Sequence, residues 1–164
     1  MMGKEGKASM HPNALLLQRL FSSLDRKDDK AMAACYHAEA TFQDIAFRLR
    51  GKAEISDMWR MICTGDIHAT FEIIQADDTT GRVKVIDEYT FSETGRRVKN
   101  VIDSRFTFRD HLVVEQRDDC DPREWAAMAM GGAKGFLAGH IAPLRRFMAR
   151  RKLQTFVAQP PAAA

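Results

Sequence analysis

Two acids stand in stretches whose neighbours belong in a core. "VKVIDEYTF" (83–91) alternates, so that Val83, Val85, Asp87, Tyr89 and Phe91 share one face of a strand. "NVIDSRFTF" (100–108) places Ile102, Ser104, Phe106 and Phe108 on one side and Val101, Asp103, Arg105 and Thr107 on the other. Both runs are rich in β-branched and aromatic residues, as buried strands are. A carboxyl group among such neighbours loses the water that stabilises its charge, so its pKa rises. A neutral carboxylic acid can then donate a hydrogen bond or a proton, while an ionised acid nearby accepts one. Asp103 is therefore expected to titrate high unless Arg105 or another cation pairs with it. For Asp87, a salt bridge to Arg48, Arg105 or a basic residue near the C-terminus weighs as much as chemistry.

The elements that must position these acids follow from periodicity. Residues 13–26 carry Leu16, Leu17, Leu20, Phe21 and Leu24 at helical spacing, with Asn13 as N-cap. A shorter helix is expected over 28–39 and a strand over 40–49. Gly51 leads into a third helix in which Ile55, Met58, Trp59 and Ile62 recur at i, i+3, i+4 and i+7. Four strands at 68–76, 82–92, 96–109 and 111–119, separated by short turns, read as an antiparallel sheet. From Pro122 the pattern is helical again, through "GGAKG" to a basic helix at about 140–157 and a frayed tail. Three helices followed by a long sheet make an α+β layout, a curved antiparallel sheet packed on helices. The two doubly apolar strands imply that the sheet's outer face is covered, by a second copy or by the C-terminal helices.

Composition narrows the function class. A chain of 164 residues is about one domain and long enough to bury a core. Its net charge of +3 does not argue for nucleic acid. "MMGKEGKASM" lacks the apolar core of a signal peptide, and no stretch is long and apolar enough for a membrane helix. Cys35, Cys63 and Cys120 form no CxxC pair, which fits reduced thiols in the cytoplasm. No metal-ligand spacing and no phosphate-binding glycine loop is present, so neither a metal nor a cofactor is expected.

The stretches "LLQRLFSSLDRKDDKAMAACYHAEATFQD" and "SRFTFRDHLVVEQRDDCDPREW" resemble the nuclear transport factor 2-like superfamily over roughly residues 13–125. Ketosteroid isomerases, SnoaL-type polyketide cyclases and limonene-epoxide hydrolase share that fold, a cone with one mouth. The isomerase resemblance puts the general base at Asp44, within "YHAEATFQD", and the protonated donor at Asp103. The position of its oxyanion-hole tyrosine is Leu20. The epoxide hydrolase resemblance puts an acid pair at Asp87 and Asp118, with Val85 where that family has an arginine. Acids of two enzymes are present and the full set of neither.

Together these readings predict a domain over 10–121, a helical extension over 122–157 and a disordered tail over 158–164. The expected function is binding of a small apolar, oxygen-bearing ligand, as a homodimer without a nucleic-acid partner. Proton-transfer isomerase or cyclase chemistry through Asp44 and Asp103 is the first reading, epoxide hydrolysis the second, and a non-catalytic binding module the third. Tyr36, Trp59, Asp87, Arg105 and Asp118 are candidate ligand contacts, although Tyr36 and Trp59 also have core spacing. Asp119 and Asp121 read as a turn and cap, and His37 as a cation late in the second helix. The basic stripe of 140–157 reads as a solvated face above a packing face, with a membrane or partner surface as alternative. "WAAMAMGGAKGFL" reads as a lid.

Overall fold

A computed structural model describes residues 10–160; the N-terminal segment 1–9 and the end of the expected tail, 161–164, lie outside it. The elements are α1 (Pro12–Asp25), α2 (Asp29–Ala33), β1 (Tyr36–Gln43), β2 (Arg48–Arg50), α3 (Lys52–Ile62), β3 (His68–Ala76), β4 (Thr80–Phe91), β5 (Arg96–Arg109), β6 (Leu112–Asp119), α4 (Pro122–Ala129), α5 (Gly132–His140) and α6 (Ala142–Ala158). The six strands form one curved sheet in the order β2-β1-β6-β5-β4-β3.

Three local expectations need correction. His11, not Asn13, caps α1, its Nδ1 accepting from Asn13 N at 3.1 Å. Asn13 is buried and donates instead to the carbonyl of Asp77 at 2.8 Å. The second helix ends at Ala33, so Tyr36 and His37 belong to a strand. Burial decides this: as strand residues, Tyr36, Ala40 and Phe42 reach the core, and pairing with β6 overrides helix propensity. The sheet is also mixed rather than wholly antiparallel, because β1 runs parallel to β6. No hairpin joins these two strands, so no turn fixes their relative direction.

The concave face of the sheet packs on α1 and α3. Leu17, Leu20, Phe21 and Leu24 of α1 are almost wholly buried. Phe21 meets Phe71 at 5.6 Å and Phe106 edge-on at 6.0 Å between ring centroids. Packing at Gly81 leaves no room for a side chain, since a Cβ there would lie 2.9 Å from Leu17 Cδ1 and from Phe108 Cζ.

The convex face differs from expectation. Arg82, Lys84, Lys99 and Arg105 stand exposed on it, with ion pairs Arg82–Asp103 at 2.7 Å and Lys99–Glu88 at 3.3 Å. The C-terminal helices do not cover this face. Arg96 Nε donates to the carbonyl of Met128 at 2.7 Å, tying the β4–β5 hairpin to α4. Arg60 of α3 lies over the Phe156 ring of α6 at 5.2 Å, and Lys152 bonds Ser92 at 2.8 Å. The extension thus walls one side of the cone's open end, and exposed Thr64, Gly65 and Glu93 remain at the cavity's mouth. Among the described residues, no helix is long and apolar enough to cross a membrane.

Candidate functional site

Strand alternation on β4 and β6 and the turn after β1 aim three carboxyl groups into one space. On β4, Val83 and Val85 are buried on the same face that carries Asp87 and Tyr89 toward the cone's interior. On β6, Val113 and Gln116 are buried and Asp118 follows Gln116 on the inner face. Asp44 sits in the turn between β1 and β2, where its Oδ1 accepts from the backbone N–H of Ala46 at 2.7 Å and of Phe47 at 2.5 Å. Asp44, Asp87 and Asp118 all line a cavity of about 750 Å³ with Phe42, Trp59 and Phe91.

The environment raises all three carboxyl pKa values. Asp44 is pushed up to about 6 by burial, against the pull of the two backbone N–H groups and the charges of Arg145 and Arg146. Burial alone pushes Asp87 to about 7, and its Oδ1 is out of solvent's reach with no hydrogen-bond partner among the described residues. Asp118 is pushed to about 7 by burial, opposed by hydrogen bonding from Gln116 and reinforced by the charges of Asp44 and Asp87. Among the described residues none of the three forms a salt bridge. Desolvated carboxyls that share a space oppose one another's ionisation, so a neutral acid able to donate a proton can stand beside an ionised one able to accept it.

A hydrogen-bonded line fixes Asp118. Trp59 Nε1 donates to Tyr36 Oη at 3.0 Å, and Tyr36 Oη donates to Gln116 Oε1 at 2.5 Å. Gln116 Nε2 then donates to both Asp118 oxygens, at 3.0 and 3.1 Å. Trp59 lines the cavity, while Tyr36 stands wholly buried behind it. A second tyrosine faces the ligand space: Tyr89 Oη accepts from Trp125 Nε1 at 2.7 Å, which leaves its own proton to donate. Its hydroxyl is held neutral, burial pushing the pKa to about 12. Arg145 of α6 is buried, and its guanidinium donates to the carbonyls of Ile45 at 2.6 Å and Ala138 at 2.7 Å.

Asp103 is not part of this set, which corrects the expected pairing with Asp44. It points to the convex face, where Arg82 grips it at 2.7 and 3.2 Å and Arg105 at 3.1 Å. These bonds, first those from Arg82, hold its carboxyl below the usual carboxylate range rather than above it. The sheet's twofold period explains the reversal: Ile102 and Ser104 face inward, so Asp103 and Arg105 must face out. Arg105 is accordingly no contact of the large cavity. Asp87 does not pair with Arg48, Arg105 or the C-terminal helix. Leu20 and Val85, both core residues, put no polar group where the resembled enzymes have theirs.

Tyr89, Gln116, Trp125 and Arg145 join the site beyond the sequence reading. Tyr89 and Gln116 had a legible signal, each lying two residues from an inward-facing acid on a strand. Trp125 and Arg145 had none, since their place depends on how the extension folds back.

The sequence model of the SnoaL-like domain matches residues 17–116. Solved structures share the fold. An LEH-like epoxide hydrolase of M. tuberculosis is 18% identical with a TM-score of 0.58, over 81% of this chain and 95% of that one. Delta 5-3-ketosteroid isomerase of Mycobacterium sp. is 16% identical with a TM-score of 0.58, over 67% and 93%. A computationally designed 17-OHP binder is 14% identical with a TM-score of 0.59, over 66% and 91%. No curated protein sequence matches the chain. At these identities the likeness carries the fold alone.

Proposed function

The chain belongs to the SnoaL-like family, and from that premise we propose that it is a cofactor-free hydrolase of a small, apolar epoxide. The observation that carries the reading is that Asp87 and Asp118 face one apolar cavity with carboxyls held near 7 and, among the described residues, no salt bridge to either. Asp87 enters the reaction protonated. Asp118, oriented by Gln116, enters ionised and takes a proton from water. The water oxygen attacks a ring carbon, the C–O bond breaks, and the departing oxygen receives the proton of Asp87. Tyr89 donates a hydrogen bond to that oxygen as its charge develops. The product is a vicinal diol. Asp118 then holds the proton taken from water and Asp87 is ionised, and proton transfer from Asp118 to Asp87 through cavity water restores the starting state.

The test is turnover of cyclohexene oxide and styrene oxide in ¹⁸O-water. One ¹⁸O in the diol is expected, with losses of about 10²-fold or more for Asp87→Asn and Asp118→Asn. Diol without label from water, or no diol with either epoxide, overturns the reading.

A specific observation also favours a second reading. Asp44 shares the cavity, has the lowest pKa of the three, and its Oδ2 accepts no hydrogen bond among the described residues. It suits a general base for proton transfer next to a carbonyl, with Asp118 or Asp87 as neutral donor in place of Asp103. Deuterium uptake from D₂O into a Δ5-3-ketosteroid tests it. Both readings keep the expected cytoplasmic homodimer, with Ile86 and Val101, cross-strand partners on the convex face, as its apolar centre. Light scattering at micromolar concentration tests the assembly.

A further inference from the structure

The acids are reached from two sides. Beside the apolar cavity lies a polar cleft of about 210 Å³, and Asp44, Ile45, Asp118 and Arg145 line both spaces. The sheet explains the gap. The last β1–β6 pair is Gln43 with Arg117, after which β1 turns away and β6 runs on to Asp118 and Asp119 without a neighbour on that side. The first turn of α6 fills the hole only in part. Arg145 spans it, pinned to the carbonyls of Ile45 and Ala138 on either side.

The two spaces differ in chemistry. The cavity wall is dominated by rings and aliphatic chains, whereas the cleft is lined by Gln43, Arg117, Arg146 and other polar side chains. Arg146 Nε is buried there without a hydrogen-bond partner among the described residues. An unpaired buried donor beside a polar space is a place for water, and 210 Å³ holds roughly half a dozen molecules at ~30 Å³ each. An apolar ligand filling the cavity expels water from the very side on which the acids need it.

We propose that the cleft between the β1–β2 turn, the end of β6 and the start of α6 is a water inlet. Ligand enters through the cone's mouth and water reaches Asp44 and Asp118 from behind, past Arg145. This rests on the hydrolase reading for its purpose but not for its test.

The test labels position 118 directly. In an Asp118→Cys chain that also carries Cys63→Ser and Cys120→Ser, the reagent is 2-sulfonatoethyl methanethiosulfonate, an anion suited to an arginine-lined cleft and excluded from an apolar cavity. The cavity is filled with decan-1-ol, its occupancy followed by tryptophan fluorescence. Labelling is expected to stay within about threefold of the rate without decanol. Arg146→Trp, or Gln43→Trp should the first disturb α6, is expected to cut the decanol-filled rate at least tenfold by plugging the cleft. Labelling abolished by decanol alone, or unchanged by both plugs, overturns the inlet. A wild-type chain inert toward epoxides would sink the hydrolase reading and leave these rates as they are. If both hold, the plugs lower kcat for cyclohexene oxide and spare KM.

Discussion

Asp87 and Asp103 show how little separates a reactive acid from a structural one. Both sit mid-strand among apolar neighbours, sixteen positions apart in chain number and one sheet face apart in space. The inward acid loses water and forms no salt bridge among the described residues; the outward one gains two arginines. Asp103→Asn is accordingly expected to leave turnover unchanged and to shift stability within about 1 kcal/mol, as exposed ion pairs do. Asp87→Asn removes the donor and should abolish turnover while ligand binding, read by tryptophan fluorescence, persists. Tyr89→Phe keeps the ring and deletes the donating hydroxyl. A kcat loss of about 10²-fold with little change in KM is expected if the bond forms mainly in the transition state. A rise in KM at constant kcat would instead make Tyr89 a ligand-binding group.

At the scale of elements, the strands were legible and the way they assemble was not. The four later strands stand close to where alternation and turn residues put them, because a hairpin is specified locally. The inward face of β4, with Asp87 in it, could be read directly from period two. The choice of inward face for β5 was open, since both faces look apolar, and only packing against Phe21 and Gly81 settles it. The β1–β6 pairing joins residues about 75 apart, and nothing local encodes its direction. Gly81 is the tightest point of the resulting register. Gly81→Ala should cost about 1–3 kcal/mol, since Leu17 and Phe108 would have to move, and urea denaturation would show it as a lower midpoint with unchanged slope. The extension was legible as helices but not as a wall. Leu153 of α6 is buried in the main core, and Met148 and Phe156 line the cavity. A chain ending at residue 121 is therefore expected to lose ligand binding and stability together, rather than binding alone as a hinged lid would.

For the whole molecule, the three cavity acids set an unusual dependence of stability on pH. In the unfolded chain their pKa values return to about 3.9. Between pH 4 and 7 the folded protein therefore keeps protons that the unfolded chain has released. Stability falls with rising pH wherever the native state binds more protons, so the contribution is full below about pH 4 and is lost as pH passes the folded values of about 6 to 7. Asp66, Asp77 and Asp103 act in the opposite sense, their carboxyls being held low by hydrogen bonds, and their contribution disappears as pH drops below about 4. Maximum stability is thus expected near pH 4–5 rather than at neutrality. Asp87 alone, pushed up to about 7, accounts for up to ~4 kcal/mol, and the three do not add because each ionisation opposes the next. Asparagine imitates the neutral acid at every pH. Wild type and Asp87→Asn should therefore unfold together at pH 4, and by pH 8 the variant should be the more stable by about 2–4 kcal/mol. Calorimetric unfolding of both chains from pH 4 to 8 measures the divergence. Parallel curves across that range would mean that Asp87 ionises as an ordinary carboxylate in the folded protein, and with it the proton donor of the proposed reaction would be gone.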